Sequence, residues 1–182
     1  QGSAGILPAT DGRGRPRSSG CPGMRKMSWG QDASAVKTQD QGSAGILPAT
    51  DGRGRPRSFS PSALRQWPVQ LKLVPVNAPY WADADILLSA DCVAHAYGGF
   101  HEELLAGRRL IVACPKLDHS TEDYVEKLAE ILGSNSVKSL TVAYMEVPCC
   151  QGIVRIAEEA IKTSGRDVPF EKVEVGIQGD RR

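Results

Sequence analysis

The sequence predicts an α/β protein with a three-layer, Rossmann-like or flavodoxin-like architecture built on a mainly parallel sheet. Strand-like and helix-like segments alternate between residues 69 and 177. The strand-like segments are short and almost uniformly apolar, as in sheets that helices cover on both faces. The helix-like segments repeat apolar residues at spacings of three and four. This alternation predicts right-handed crossovers between neighbouring parallel strands.

The predicted elements follow one another with short connections. In the first half we expect a short helix at 62–67, a strand at 69–76, a buried strand at 85–92, a helix at 95–106 and a strand at 109–114. In the second half we expect a helix at 121–132 capped by Ser120, a strand at 137–147, a helix at 149–162 closed by Gly165, and an edge strand at 170–177.

The first 58 residues differ from the rest. QGSAGILPATDGRGRPRS occupies residues 1–18 and recurs letter for letter at 41–58. Each copy offers only Ile-Leu as an apolar pair, too little to offset the entropy of an ordered chain. We therefore expect a disordered, low-complexity segment over 1–58 and one folded α/β domain over 59–182.

Charge and composition exclude several classes of function. The segment 1–58 has nine Lys/Arg against four Asp/Glu, whereas 59–182 has thirteen against seventeen, so the domain lacks the basic surface expected of a nucleic-acid-binding protein. The sequence has no stretch of about 18 apolar residues, so we expect no membrane helix. Neither a signal peptide nor an initiating Met is present, so we expect a cytoplasmic protein and a fragment of a longer reading frame.

Four cysteines follow three of the predicted strands. Cys92 comes after the strand DILLSA, Cys114 ends LIVA, and Cys149 and Cys150 follow MEVP. The carboxyl ends of parallel strands meet at one edge of the sheet, where ligands of such folds bind. The sequence therefore predicts that the fold assembles a thiol site at this edge.

Such a site suits a soft metal. Thiolates are the ligands of iron–sulfur clusters and of zinc, and four cysteines form a common ligand set for either. Because adjacent residues point in different directions, Cys149 and Cys150 need not both reach one metal. His95, His101 and Asp91 are the candidates for an additional ligand.

Two other functions are open on the residues alone. A thiol-based enzyme would use Cys149 or Cys150 as a nucleophile at a helix start, with His101 as base. A non-catalytic docking domain would bind a redox partner, or a second copy as a homodimer, through the sheet edge.

Several short motifs add a family resemblance. LRQWPVQL, NAPY, ADC, FHE, CPKLD and MEVPCC occur in this order between residues 64 and 150. Over nearly all of residues 60–180 the sequence resembles the C-terminal domain of a family of bacterial and archaeal ferredoxin-like iron–sulfur proteins. In that family a ferredoxin domain with 4Fe–4S clusters precedes this domain, joined by a Cys-Pro-Gly segment that residues 20–23 resemble. The resemblance implies an electron carrier or its accessory domain, with an iron–sulfur cluster and a redox protein as partner.

The chain also departs from this family. The CxxCxxCxxxCP runs of the ferredoxin domain are absent, which implies a truncated copy. Gln151 stands where the family usually has Gly after the paired cysteines. We therefore expect its side chain to crowd a site that needs close backbone approach.

Overall fold

Four parallel strands form the main sheet. The protein's computed structural model describes residues 26–28, 62–118 and 121–182. The sheet consists of β3 (Asp85–Ala90), β4 (Arg109–Ala113), β5 (Ser139–Met145) and β6 (Phe170–Val175), in the order β4-β3-β5-β6. Every neighbouring pair is parallel, with Leu87 beside both Leu110 and Thr141. The predicted parallel α/β sheet is confirmed, and β6 is the predicted edge strand.

The central strand β3 is buried on both faces of the sheet. Its residues from Ile86 to Ala90 are all buried, because helices and loops cover both faces of the sheet. The helices α2 (Thr121–Ser134) and α3 (Gln151–Ser164) pack against each other. The connections from β4 to β5 and from β5 to β6, which contain α2 and α3, run one way across the sheet, whereas the connection from β3 to β4 runs the other way. Right-handed crossovers therefore place the β3–β4 connection on the face opposite to α2 and α3.

The prediction of one continuous helix over 95–106 is wrong. The structure has a four-residue helix, α1 (Val93–Ala96), and a separate π-helix (Phe100–Leu105). Tyr97 between them is extended, and its hydroxyl donates a hydrogen bond to the Glu103 carboxylate. The two glycines at 98–99 favour the break, since glycine is a poor helix former.

The predictions before β3 are also wrong. The segment predicted as a helix contains β2 (Gln66–Trp67), which pairs antiparallel with β1 (Met27–Ser28). The predicted strand at 69–76 is mostly turns and forms one parallel bridge, between Gln70 and Val112 of β4. Leu71 is buried but Leu73 is 43% exposed, so the apparent alternation does not mark one face of a strand.

The second half of the domain follows the prediction closely. Gly165 ends α3 with a left-handed φ of 67°, a conformation that glycine adopts without strain. The predicted cap Ser120 lies outside the described residues, as do all residues of the predicted disordered segment except 26–28. None of the described helices has both the length and the apolar character needed to cross a membrane.

Candidate functional site

The strand order places a topological switch point, here called the crevice, at the carboxyl edge of the sheet. From β3 the chain continues toward β4, whereas from β5 it continues toward β6 on the other side. The two connections therefore diverge between the carboxyl ends of β3 and β5. In open parallel sheets this switch point is where ligands bind.

One cysteine lines the β3 side of the crevice. Cys92 is the residue before the first turn of α1, and its backbone oxygen accepts hydrogen bonds from His95 and Ala96 at 3.2 and 3.1 Å. Its side chain is exposed. The strand therefore delivers an accessible thiol to the switch point.

Two cysteines line the β5 side. Cys149 and Cys150 lie in a 3-10 turn, Pro148–Cys150, that leads from β5 into α3. Pro148 suits the first position of this turn because its missing N–H would have no helical partner there. The turn directs the two neighbouring side chains differently, so that Cys149 is exposed and Cys150 is buried.

The three thiols lie close enough to influence one another. Burial raises the pKa of Cys150, and the backbone of Met145 opposes this by hydrogen bonding. A hydrogen bond and the charge of Cys149, together with the charge of Cys92, raise the pKa of Cys150 further. We refer to Cys92, Cys149 and Cys150 as the thiol cluster.

Cys114 belongs to a neighbouring group of polar side chains. It follows β4, and its backbone N–H donates to Asp118 Oδ2 at 2.8 Å. Burial and a hydrogen bond to Asp118 raise the pKa of Tyr124 well above its ordinary value, with further contributions from the charges of Asp91 and Cys114. We refer to Asp91, Asp118, Tyr124 and Cys114 as the carboxylate group.

Asp91 connects this group to the thiol cluster, because it precedes Cys92 directly. Its Oδ1 atom is buried and has no hydrogen-bond partner among the described residues. Burial and the nearby charge of Asp118 raise the pKa of Asp91, whereas a hydrogen bond from Gln70 and the charge of His95 lower it. Asp91 therefore lies near the thiol cluster, and its role as an additional ligand stays a prediction.

Asp118 and Tyr124 were not predicted as site residues from the sequence. The available signal was the spacing in CPKLD, which places an acid four residues after Cys114. In the structure the Asp118 N–H donates to the Cys114 carbonyl at 2.9 Å, closing a tight turn. This turn brings the carboxylate back to the strand end.

The histidines differ in their surroundings. His95 is exposed in the last turn of α1, within electrostatic reach of Asp91. His101 is also exposed, and its Nδ1 accepts a hydrogen bond from the Ala63 backbone N–H at 3.2 Å. His101 thus holds the segment that precedes β2, whereas His95 lies beside the site.

A close contact connects the loop after β4 to the start of α3. A Cβ atom built on Gly152 would lie 2.9 Å from Cβ of Pro115, closer than side chains pack. Gln151 is exposed. The fold therefore requires a small residue at Gly152, whereas the expectation that Gln151 crowds the site stays a prediction.

The C-terminal residues fold back over this edge. Val175 and Arg181 form an antiparallel bridge, and the Ile177 N–H donates to Glu146 Oε1 at 2.9 Å. Arg182 forms an ion pair with the Glu146 carboxylate. Glu146, which follows β5, therefore anchors the tail beside the crevice.

Within the described part of the chain, no group of three or more His, Cys, Asp or Glu side chains is arranged to hold a metal ion. Cys92 and Cys149 both influence the pKa of Cys150, but the side-chain positions of the three thiols do not form a metal-ligand set. The predicted ligand roles of Cys92, Cys114, Cys149 and Cys150, with His95, His101 or Asp91, stay predictions.

Comparison with known proteins identifies the family. The family model described as a Rossmann-like domain matches residues 78–181, more than half of the chain. The chain belongs to the Rossmann-like domain family. The matched region contains β3 to β6, the thiol cluster and the carboxylate group.

One relative of this Rossmann-like protein comes from Archaeoglobus fulgidus. It is 29% identical over 116 residues, which cover 64% of this chain and 81% of the relative. Its name, "Uncharacterized protein", assigns no activity. No solved structure matches the chain. The relation to ferredoxin-like proteins stays a prediction from the sequence motifs.

Proposed function

We propose that this protein is an accessory domain of an iron–sulfur electron-transfer protein, and that its thiol cluster binds an iron–sulfur cluster or a zinc ion. The observation that supports the proposal is that Cys92, Cys149 and Cys150 follow the two strands that flank the switch point of the sheet, near enough for the charges of Cys92 and Cys149 to raise the pKa of Cys150. Thiolates are the preferred ligands of both groups. Cys114, at the end of the strand beside β3, is the candidate for a fourth thiol ligand.

The donor atoms fit such a group, whereas the side chains need to move. Cys92 and Cys149 are exposed, and exposed side chains change rotamer within nanoseconds. Cys150 is buried with a raised pKa, which favours the neutral thiol in the metal-free protein. A bound cation reverses this preference, because coordinating thiols are deprotonated.

The same edge offers apolar side chains to a redox protein partner. Leu117, in the loop after β4, is 70% exposed, and Ile177, in the tail after β6, is 66% exposed. Both follow carboxyl ends of strands in the sheet. A partner that docks there would approach the thiol cluster directly.

If the protein is instead a thiol-based enzyme, Cys149 is the better candidate for the nucleophile. A raised pKa makes Cys150 a poor nucleophile near neutral pH, because the thiolate is the reactive form. His101 accepts a hydrogen bond from the Ala63 N–H through Nδ1, so in the neutral ring the proton is on Nε2 and neither nitrogen is free to act as a base. Cys149 is exposed beside the start of α3.

Anaerobic reconstitution of the full chain tests the proposal. Iron with sulfide, or zinc alone, is added to reduced protein, and bound metal and sulfide are measured after desalting. We expect C149S and C150S to lower metal affinity by about 10-fold or more, since even residues that only support the ligands of a metal site have effects of this size.

The matched control is C21S, which removes a thiol outside the described residues. We expect it to bind metal as the unmodified chain does. A metal-free protein with all thiols free after reconstitution would contradict the proposal. A single thiol that alkylates much faster than the others near neutral pH would instead favour the Cys149 enzyme.

A further inference from the structure

Two arginines meet at the amino edge of the sheet, opposite the thiol cluster. Arg109 is the first residue of β4, and Arg65 precedes β2. Arg109 Nη1 donates to the Arg65 carbonyl at 3.3 Å, and its Nε donates to the Tyr80 carbonyl at 3.2 Å. Burial, and then the charge of Arg65, lower the pKa of Arg109. The two guanidinium groups therefore lie close enough to repel each other.

No carboxylate compensates this charge among the described residues. The ion pairs there involve Lys162, Lys172, Arg181 and Arg182, whereas Arg65 and Arg109 form none. Both arginines are partly buried, where like charges are screened less than in water. An uncompensated pair of this kind is a favourable place for an anion.

The hydroxyl of Tyr80 is a second, independent sign of a missing partner. Tyr80 is 6% exposed, and its hydroxyl oxygen is buried with no hydrogen-bond partner in the described part of the chain. Most buried polar side-chain atoms in proteins have a partner. Burial raises the pKa of Tyr80 to about 12, and the nearby charge of Arg109 opposes this. The hydroxyl is thus a neutral O–H donor at physiological pH, within electrostatic reach of Arg109.

The arginines have donors to spare. Each guanidinium carries five N–H groups. Arg109 commits two of them to backbone carbonyls, and Arg65 commits two to the carbonyls of Ser62 and Leu64. The remaining N–H groups have the planar geometry that matches phosphate and carboxylate oxygens.

We propose that Arg65, Arg109 and the Tyr80 hydroxyl form an oxyanion-binding site, which takes the phosphate or carboxylate group of a small molecule. The site lies at the edge of the sheet opposite the crevice, so it does not depend on the proposed metal-binding function. Loss of the thiols leaves it intact.

Titration of the full chain with two oxyanions tests this proposal. Inorganic phosphate and acetate are added in separate series, with chloride used to keep the ionic strength constant. Thermal unfolding and calorimetry then report binding, since a ligand that binds only the folded state raises Tm with its concentration. A saturable effect of phosphate alone assigns a phosphoryl ligand, and one of acetate alone assigns a carboxylate ligand.

Three variants distinguish the site from general charge effects. R65Q removes one guanidinium, and we expect at least about 10-fold weaker oxyanion binding, because hydrogen bonds to charged groups are worth this much. R65K keeps the charge but loses the planar fork, so its affinity should fall between the two. The control R155Q alters an exposed arginine of α3 and should bind as the unmodified chain does.

Y80F separates binding from folding. The change removes a hydroxyl that has no partner among the described residues, so the anion-free protein should keep or gain stability. The oxyanion-dependent rise in Tm should nevertheless shrink. Equal effects of chloride, phosphate and acetate on the unmodified chain, or unchanged affinity in R65Q, would overturn the proposal.

Discussion

Adjacent residues of this protein occupy different environments at the candidate site. Cys149 and Cys150 share one short turn, yet one thiol is exposed and the other is buried. The sequence predicted that cysteines would follow three strands and that this pair would diverge. It could not predict Asp118 or Tyr124, because their approach depends on the loop after β4 and on the position of α2.

The contact between Gly152 and Pro115 leads to a prediction at the same scale. We expect G152A to lower the free energy of unfolding by about 1–3 kcal/mol, because the added methyl group overpacks against a rigid proline ring. Urea-induced unfolding of the two proteins measures the difference.

Gly133 provides the matched control, since it also lies in a helix. A Cβ atom there would meet the Ser164 carbonyl oxygen at 3.5 Å, an ordinary contact distance. We expect G133A to stabilise the protein by about 0.5–1 kcal/mol, the usual gain for alanine over glycine in a helix. A G152A protein as stable as the unmodified chain would show that Pro115 moves freely.

Among the secondary-structure elements, those with many periodic residues were predictable. The helix α3 buries Val154, Ala157 and Ala160 as their spacing predicts, and β3 is buried as its apolar sequence predicts. The short helix predicted before Pro68 failed because tertiary pairing with residues 27–28 outweighs the weak helical preference of so few residues.

Gln66 shows how the outer edge of β4 is closed. Its side chain is fully buried, with Nε2 donating to the Leu110 carbonyl at 2.6 Å and Oε1 accepting from the Leu110 N–H at 3.3 Å. One amide thus pairs with both backbone groups of Leu110 on that edge. An apolar residue of similar size cannot replace these two bonds.

We therefore expect Q66L to lower the free energy of unfolding by about 1–3 kcal/mol, the cost of leaving buried backbone groups unpaired. Chemical denaturation measures this change. Q151L, at an exposed glutamine, should stay within about 0.5 kcal/mol of the unmodified chain. Comparable losses in the two variants would mean that the amide of Gln66 is not important for stability.

At the scale of the whole molecule, three residues before the predicted domain boundary near residue 59 contact the α/β domain. Residues 26–28 contact the domain through the two-residue pairing of β1 with β2 and through a hydrogen bond from Lys26 Nζ to the Asn77 carbonyl at 2.9 Å. The sequence did not signal this contact, because two residues are too few to form a recognisable pattern. Both groups of contacts are small beside the buried core of β3 to β6.

A chain of residues 59–182 should consequently fold by itself. We expect its Tm to fall by less than about 8 °C, because the contacts that the structure describes for residues 26–28 are few, together worth about 1–2 kcal/mol. Circular dichroism during heating measures the change. A deletion of residues 1–18, which retains 26–28, is the control and should unfold as the full chain does. An unfolded 59–182 fragment would place the boundary earlier in the sequence.

The strand order has a further consequence for the chain as it leaves the ribosome. β3 lies between β4 and β5, and its partner Ser139 is 54 residues beyond Asp85. A nascent chain that has emerged only as far as β4 therefore has an apolar strand with one open edge. Such edges pair readily with other chains. Translation must reach Met145 before β3 is protected, so slow synthesis of α2 would prolong the period in which the nascent protein is prone to aggregate.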